Sequence, residues 1–373
     1  MSASQPHHGG NLFWAAALAG CLPQEILDFS ASINPLGPPQ SVKLAIQSSI
    51  DTIQAYPDPH AQQFKQRLSQ LHNLPPEWII VGNGAAELLT WACRSLSQLP
   101  QTHLLSPAFG DYYRALQAFD ACIINHPISL NPTLAAADTS DWRGDISRSL
   151  SQGRPETNGI LLNNPHNPTG LGFGQSELLA LLEQCALLVV DEAFMEFLPD
   201  PEPYSLVAVL TRYPNLVIVR SLTKFFSIPG LRLGYALAHP SLIRQWETWR
   251  DPWSVNTLAI AAGFAALDDT EFQSETFCWL NQARPLLHQE LAQIPRLTVF
   301  PGIANFLLVR CAVSVTQLQL ALLRHHRILI RDCMSFPELG DRYFRVAVRT
   351  TQENAQLIQA LREALPRLAQ QSA

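Results

Sequence analysis

Seven short runs rich in Val, Ile and Leu punctuate the first two thirds of the chain: Trp78–Val81, His103–Ser106, Cys122–His126, Gly159–Asn163, Leu187–Asp191, Leu216–Arg220 and Leu233–Ala238. Their apolar residues are consecutive instead of alternating, and longer amphipathic stretches separate them. Consecutive apolar positions mark strands buried on both faces, so the pattern predicts a mostly parallel seven-stranded sheet flanked by helices, an α/β layout. In such sheets ligands collect at the carboxyl ends of the strands. Beyond residue 270 the pattern changes to a long helix (Glu271–Ala292), strands at Leu297–Phe300 and Asn305–Arg310, a helix near Val315–His325, strands at Ile328–Arg331 and Tyr343–Val348, and a final helix from Thr351. This reads as a smaller α+β domain. The expected organisation is an N-terminal segment, 1–50, that carries Pro35, Pro38 and Pro39 and packs with the small domain, then a large domain, 51–270, and the small domain, 271–373.

Composition narrows the function classes. The chain has 373 residues, 47% apolar and 15% charged, with a net charge of −6, and its Lys and Arg are scattered. Without a basic field, nucleic acid is not the expected partner, and an anionic substrate needs arginines gathered locally. The seven cysteines are odd in number and isolated, with no Cys-x-x-Cys pair and no zinc spacing, so they are expected to be buried free thiols and no metal is expected. No apolar run reaches the roughly 20 residues that span a bilayer. The start lacks a basic region followed by an apolar core, which points to the cytoplasm and away from membranes. His7-His8, without further ligands, reads as a solvated polar pair.

Polar clusters follow the strand runs. After Leu216–Arg220 comes Ser221-Leu222-Thr223-Lys224, and eight residues on stands Arg232 in Gly230-Leu231-Arg232-Leu233-Gly234. A lysine at a strand end with a hydroxyl and an arginine nearby suits an aldehyde cofactor that carries a phosphate. Pyridoxal 5'-phosphate (PLP) fits, with Lys224 on its aldehyde and Ser221 and Arg232 on its phosphate. Gly82-Asn83-Gly84-Ala85-Ala86-Glu87 leaves a strand and opens a helix, whose first amides form an anion site. Asp191 ends a buried strand; it pairs with a protonated pyridine nitrogen or merely caps a helix. Asn164-Pro165-His166-Asn167-Pro168-Thr169-Gly170 is a proline-restricted turn that leaves Asn167 to donate to the cofactor's phenolic oxygen. In Phe109-Gly110-Asp111-Tyr112-Tyr113, Tyr112 either stacks on the ring or belongs to the core. No Gly-x-Ser-x-Gly or His-Glu-x-x-His motif points to a hydrolase.

In this order the motifs resemble the fold-type I PLP enzymes of the aspartate aminotransferase superfamily, over nearly the whole chain. Within it the chain is similar to the histidinol-phosphate aminotransferases and closer to the threonine-phosphate decarboxylases of cobalamin biosynthesis. The closer match rests on His8-Gly9-Gly10-Asn11, Asp28-Phe29-Ser30-Ala31-Ser32-Ile33-Asn34-Pro35-Leu36-Gly37, Tyr56-Pro57-Asp58-Pro59, Arg220-Ser221-Leu222-Thr223-Lys224-Phe225 and Pro252-Trp253-Ser254-Val255-Asn256. The resemblance implies a PLP-binding large domain and catalytic roles for Lys224 and Asp191. It implies cofactor contacts by Gly84, Ala85, Ala86, Tyr112, Asn167, Asp191, Ser221, Lys224 and Arg232. Tyr56 is implied to reach the cofactor phosphate of the neighbouring subunit in a homodimer, its alternative being a packing tyrosine. Substrate contacts are implied for His8, Asn34, Asn167, Arg331 and Arg345; Arg349, four residues on, is expected on the same strand face as Arg345. Where the aminotransferases usually carry a tyrosine that bonds the phenolic oxygen, this chain has Phe194.

The same residues serve two outcomes. A bond at the substrate α-carbon breaks when it stands perpendicular to the cofactor ring, so orientation selects decarboxylation of O-phospho-L-threonine or removal of the α-hydrogen and transamination; the alternative reading is transamination of histidinol phosphate.

Overall fold

The computed structural model describes residues 8–131, 136–151 and 157–371; His7 lies outside them. The seven expected strands all form: β1 (Ile79–Asn83), β2 (Gln101–Ser106), β3 (Ile123–Pro127), β4 (Asn158–Asn163), β5 (Leu187–Asp191), β6 (Leu216–Ser221) and β7 (Leu233–Ala238). They build one sheet in the order β1-β7-β6-β5-β4-β2-β3. Neighbours from β6 to β3 pair in parallel, whereas β7 runs antiparallel to both β1 and β6.

Alternate residues of one strand serve different apolar layers. Leu188 and Val190 of β5 join one cluster, and Leu187 and Val189 join the other. Burial on both faces is why the apolar runs are continuous. The reversal of β7 has a functional consequence. Gly234 lies opposite Ser221 and Leu233 opposite Asn83, so the residue that precedes β7, Arg232, arrives at the edge where β1 and β6 end.

The C-terminal region forms a four-stranded antiparallel sheet, β8 (Leu297–Val299), β9 (Phe306–Cys311), β10 (Arg331–Asp332) and β11 (Tyr343–Ala347), in the order β8-β9-β11-β10. Helices Thr270–Ala292, Val315–His326 and Thr351–Gln371 accompany it. Leu27–Asp28 pairs in parallel with Ile328–Leu329. Ala15 and Ala16 of helix Leu12–Ala19 share an apolar cluster with Leu323 and Leu329. Helix Gln40–Ser48 instead packs on helix Thr257–Asp268.

All seven cysteines are free; Cys93, Cys185, Cys311 and Cys333 are buried and Cys21 partly so, but Cys122 and Cys278 are exposed, which corrects the expectation of buried thiols throughout. Among the described residues there is no cluster of metal-ligating side chains, and no helix is long and apolar enough to cross a membrane.

Candidate active site

The carboxyl ends of β2, β4, β5 and β6 open into a concave cleft of about 220 Å³. The strand-end residues Asn163, Asp191 and Lys224 face the Ser30–Ile33 loop, His8, Arg331 and Arg345 across it. Asp191 is the carboxylate among its lining residues, set against Lys224 and two arginines, so the cleft favours anions.

Asp191 is buried, and desolvation pushes its carboxyl above the ordinary range, opposed by the Lys224 charge and by donated hydrogen bonds. Tyr112 donates its hydroxyl to Oδ2 at 2.6 Å and the Ala193 amide donates to Oδ1 at 2.9 Å. Burial lowers the Lys224 amine to about 8; Asp191 opposes the shift, while Arg232 and Arg345 add to it. Lys224 Nζ sits 4.9 Å from the centre of the Phe194 ring. An aromatic face attracts the ammonium without offering it a proton acceptor.

Arg331 and Arg345 lie directly opposite one another on β10 and β11. Like charges so placed repel, and the arrangement is costly unless something anionic comes between them. Arg345 donates to Asn167 Oδ1 and to the Ser30 carbonyl (3.1 Å), and its Nε is buried without an acceptor. No carboxylate lies within ion-pair distance of it among the described residues. Burial, aided by Arg331, lowers it to about 10. Because arginine only donates, the Asn167 amide must turn its oxygen toward Arg345, which leaves the NH2 group as its donor.

At the rim stand Gly84, Ser221 and Arg232. Gly84 has φ +73°, and a Cβ there would lie 2.5 Å from Arg232 Nη2. Gly234 is equally constrained, since its Cβ would lie 2.6 Å from the Ala85 amide nitrogen. The guanidinium thus packs directly on the start of helix Gly84–Leu96, where the Ala85 and Ala86 amides have no intrahelical acceptor. Ser221 Oγ is 2.8 Å from Thr223 Oγ1. A guanidinium, a hydroxyl and a helix N-terminus around one point make an anion cradle.

The structure therefore gathers Lys224, Asp191, Asn167, Tyr112, His8, Arg331 and Arg345 around the cleft and Gly84, Ala85, Ser221 and Arg232 at the adjoining cradle; Ala86 follows Ala85 in the first helical turn. Three expectations need correction. Asn34 does not line the cleft: its Nδ2 donates to the Phe225 carbonyl (2.9 Å) and Thr276 Oγ1 (2.8 Å), and its backbone N–H donates to the Lys224 carbonyl (3.0 Å). It braces the lysine segment. Tyr112 is spent on Asp191 and almost wholly buried, so the aromatic wall with a partly open face is Phe109 at the N-cap of the same helix, 5.5 Å from His8. Arg349 lies past the end of β11 and pairs with Glu353. Tyr56 stands apart from the cleft, 80% exposed and stacked on Trp253.

Ser32 and Asn163 also line the cleft, without a role assigned from the sequence, and their Oγ and Oδ1 are buried without partners. Buried polar atoms left open in a pocket are the mark of ligand contacts. Their signals were position in the Asp28–Asn34 motif and at the end of β4.

Asn34→Leu is expected to destabilise the fold by about 1–3 kcal/mol through the unpaired Phe225 carbonyl and Thr276. Retained melting temperature would contradict the bracing role.

The aminotransferase class I and II family matches residues 24–361. The chain is 39% identical to threonine-phosphate decarboxylase of Salmonella typhimurium, covering 97% of both chains. It is 32% identical to histidinol-phosphate aminotransferase of Symbiobacterium thermophilum, covering 91% of each. In solved structures, its fold is similar to that of histidinol-phosphate aminotransferase from Sinorhizobium meliloti in complex with pyridoxal-5'-phosphate, at a TM-score of 0.83 and 22% identity over 98% of this chain and 96% of that one.

Proposed function

We propose, on the premise that the chain belongs to the aminotransferase class I and II family, that it is a PLP-dependent decarboxylase of O-phospho-L-threonine. The products are CO2 and (R)-1-amino-2-propanol O-phosphate, made in the cytoplasm for cobalamin biosynthesis. The observation that carries this reading is the pair of facing arginines opposite Lys224, with Arg345 lacking a carboxylate partner. A ligand with two anionic groups satisfies them.

The cofactor fits the residues present: an anion cradle that a Cβ at Gly84 would fill, a buried carboxylate, and the free donor of Asn167. When bound, PLP supplies an electron-withdrawing ring that stabilises negative charge at the substrate α-carbon. Ser221, Arg232 and the Gly84–Ala86 turn would hold its phosphate, and Lys224 would hold its aldehyde. Asp191, fixed by Tyr112, would keep a proton at the ring nitrogen, and Phe109 would supply an aromatic wall for the ring. Asn167 donates to the phenolic oxygen, alone, because Phe194 has no hydroxyl. Arg331, Arg345, His8 and Ser32 would grip the substrate's carboxylate and phosphate and so set which α-carbon bond is placed for cleavage. With the carboxylate so placed, CO2 departs, and Lys224 is positioned to deliver the proton that replaces it.

Transamination of histidinol phosphate would use the same lysine, aspartate and anion cradle, but that amine carries one anionic group, so the two facing arginines and the higher identity with the decarboxylase both favour decarboxylation. The test is to compare kcat/KM for O-phospho-L-threonine, without acceptor, and for histidinol phosphate with 2-oxoglutarate. The first should exceed the second by at least about 10²-fold, the scale on which a few kcal/mol of differential binding separates substrates. The reverse order would replace this reading with the aminotransferase.

The large PLP-binding domain is taken as 51–270 and the small domain as 271–373. The protein is a homodimer in which Tyr56 donates to the cofactor phosphate of the second subunit. Its exposure, beside the exposed Ile50, Ile53 and Trp253, supports this reading. Light scattering should give twice 41.4 kDa, and Tyr56→Phe should weaken cofactor retention about tenfold, one hydrogen bond to a charged group. A monomer that retains full activity would refute the shared site.

A further inference from the structure

Helix Val315–His326 turns an apolar face inward, with Val315, Leu318, Leu322 and Leu323 buried, and among them stands a buried glutamine, Gln319. A buried amide is costly unless its hydrogen bonds are met. Gln319 Nε2 donates to the Ile330 carbonyl at 2.8 Å and to Asp332 Oδ2 at 3.0 Å, one bond from each N–H. These are the two neighbours of Arg331. Asp332 is itself buried, and its Oδ1 accepts from the Met334 amide at 3.1 Å, which turns the chain away after the two-residue strand β10. Neither Gln319 nor Asp332 lines the cleft; both border a small adjoining space with Trp14 and Gly10.

The need for a clamp follows from the strand. β10 is two residues long, pairs with β11 alone, and carries an arginine facing another arginine. Repulsion between facing cations pushes Arg331 outward, and so short a strand has few ladder bonds to resist it.

We propose that Gln319 and Asp332 form a positioning pair that holds Arg331 against Arg345 at the spacing the doubly anionic substrate requires. The inference rests on the substrate reading above. Neither residue touches substrate; the pair acts through Arg331, so its loss raises KM and leaves kcat.

The test uses the PLP-loaded enzyme and four proteins: wild type, Gln319→Met, Asp332→Ala and Asp332→Asn. In Gln319→Met and Asp332→Ala, KM for O-phospho-L-threonine should rise about tenfold, the cost of an open buried hydrogen-bonding group. In both, kcat should stay within about twofold, the bound cofactor's visible absorbance should be unchanged, and competitive inhibition by inorganic phosphate should weaken in parallel. Asp332→Asn keeps one oxygen where two are used, by Gln319 and by the Met334 amide, and should raise KM less than Asp332→Ala does. Should Gln319→Met fail to fold, the Asp332 pair decides alone. An unchanged KM in Gln319→Met or Asp332→Ala, or a loss confined to kcat, overturns the positioning role. Absence of turnover in wild type would instead overturn the substrate assignment, and it is recognised before any variant is compared.

Discussion

Lys224→Ala is expected to abolish turnover and the visible absorbance of the lysine-linked cofactor, while the protein still folds. In the proposed function Lys224 would hold the cofactor aldehyde and move the proton at the α-carbon, so both roles should vanish together. Proton transfer alone is worth about 10²–10⁴-fold, and the loss should exceed that range. The electrostatics of the site give a second handle. Burial has lowered the amine to about 8, so the neutral, nucleophilic form is the minor species at pH 7, yet far more abundant than in an ordinary lysine near 10.5. Its population is roughly a tenth, against about one part in several thousand. The rate at which the apo-protein captures the aldehyde should therefore climb tenfold per pH unit up to about 8 and level off above it. A rise that continues to pH 10 would contradict the lowered amine; residual turnover in Lys224→Ala would contradict the assignment of the lysine.

Arg345→Met should separate stability from function. The guanidinium is buried, faces Arg331 and has no carboxylate within ion-pair distance among the described residues, so in the unliganded protein its charge is offset only in part, by Asp28 from farther off. Replacing it with an apolar side chain of similar length removes that desolvation cost, and the melting temperature of the unliganded protein should hold or rise. Substrate binding should fall by about 2–5 kcal/mol, because a substrate anion is left unpaired in a buried site. The loss should appear in KM for O-phospho-L-threonine and in the inhibition constant of inorganic phosphate. A variant that is destabilised but binds substrate normally would make Arg345 a structural residue.

The fold was legible because the seven strands are buried on both sides, which writes each as an unbroken apolar run. The polar residues at their ends were legible for the same reason, since Asp191 and Lys224 interrupt or follow apolar sequence where a ligand edge must lie. Loops obey no such period. Between Ser30 and Asn34 nothing in the sequence says which side chain faces the cleft, and the fold turns Ser32 inward while Asn34 braces the lysine segment. At the start of helix Gly110–Gln117 the choice between Phe109 and Tyr112 depended on the hydrogen bond to Asp191, a contact across 79 positions. Gln319 lay beyond reach entirely, because its partners come from a different element. Tertiary pairing, not local propensity, sets those roles.

Decarboxylation requires the site to present a carboxylate, rather than a hydrogen, for cleavage at the α-carbon. The most direct measurement is the product formed from O-phospho-L-threonine by the PLP-loaded enzyme with no keto-acid acceptor present. Sustained turnover is expected, with CO2 and 1-amino-2-propanol O-phosphate released in equal amounts. A single turnover that stops without CO2, and resumes only when 2-oxoglutarate is added, would contradict it.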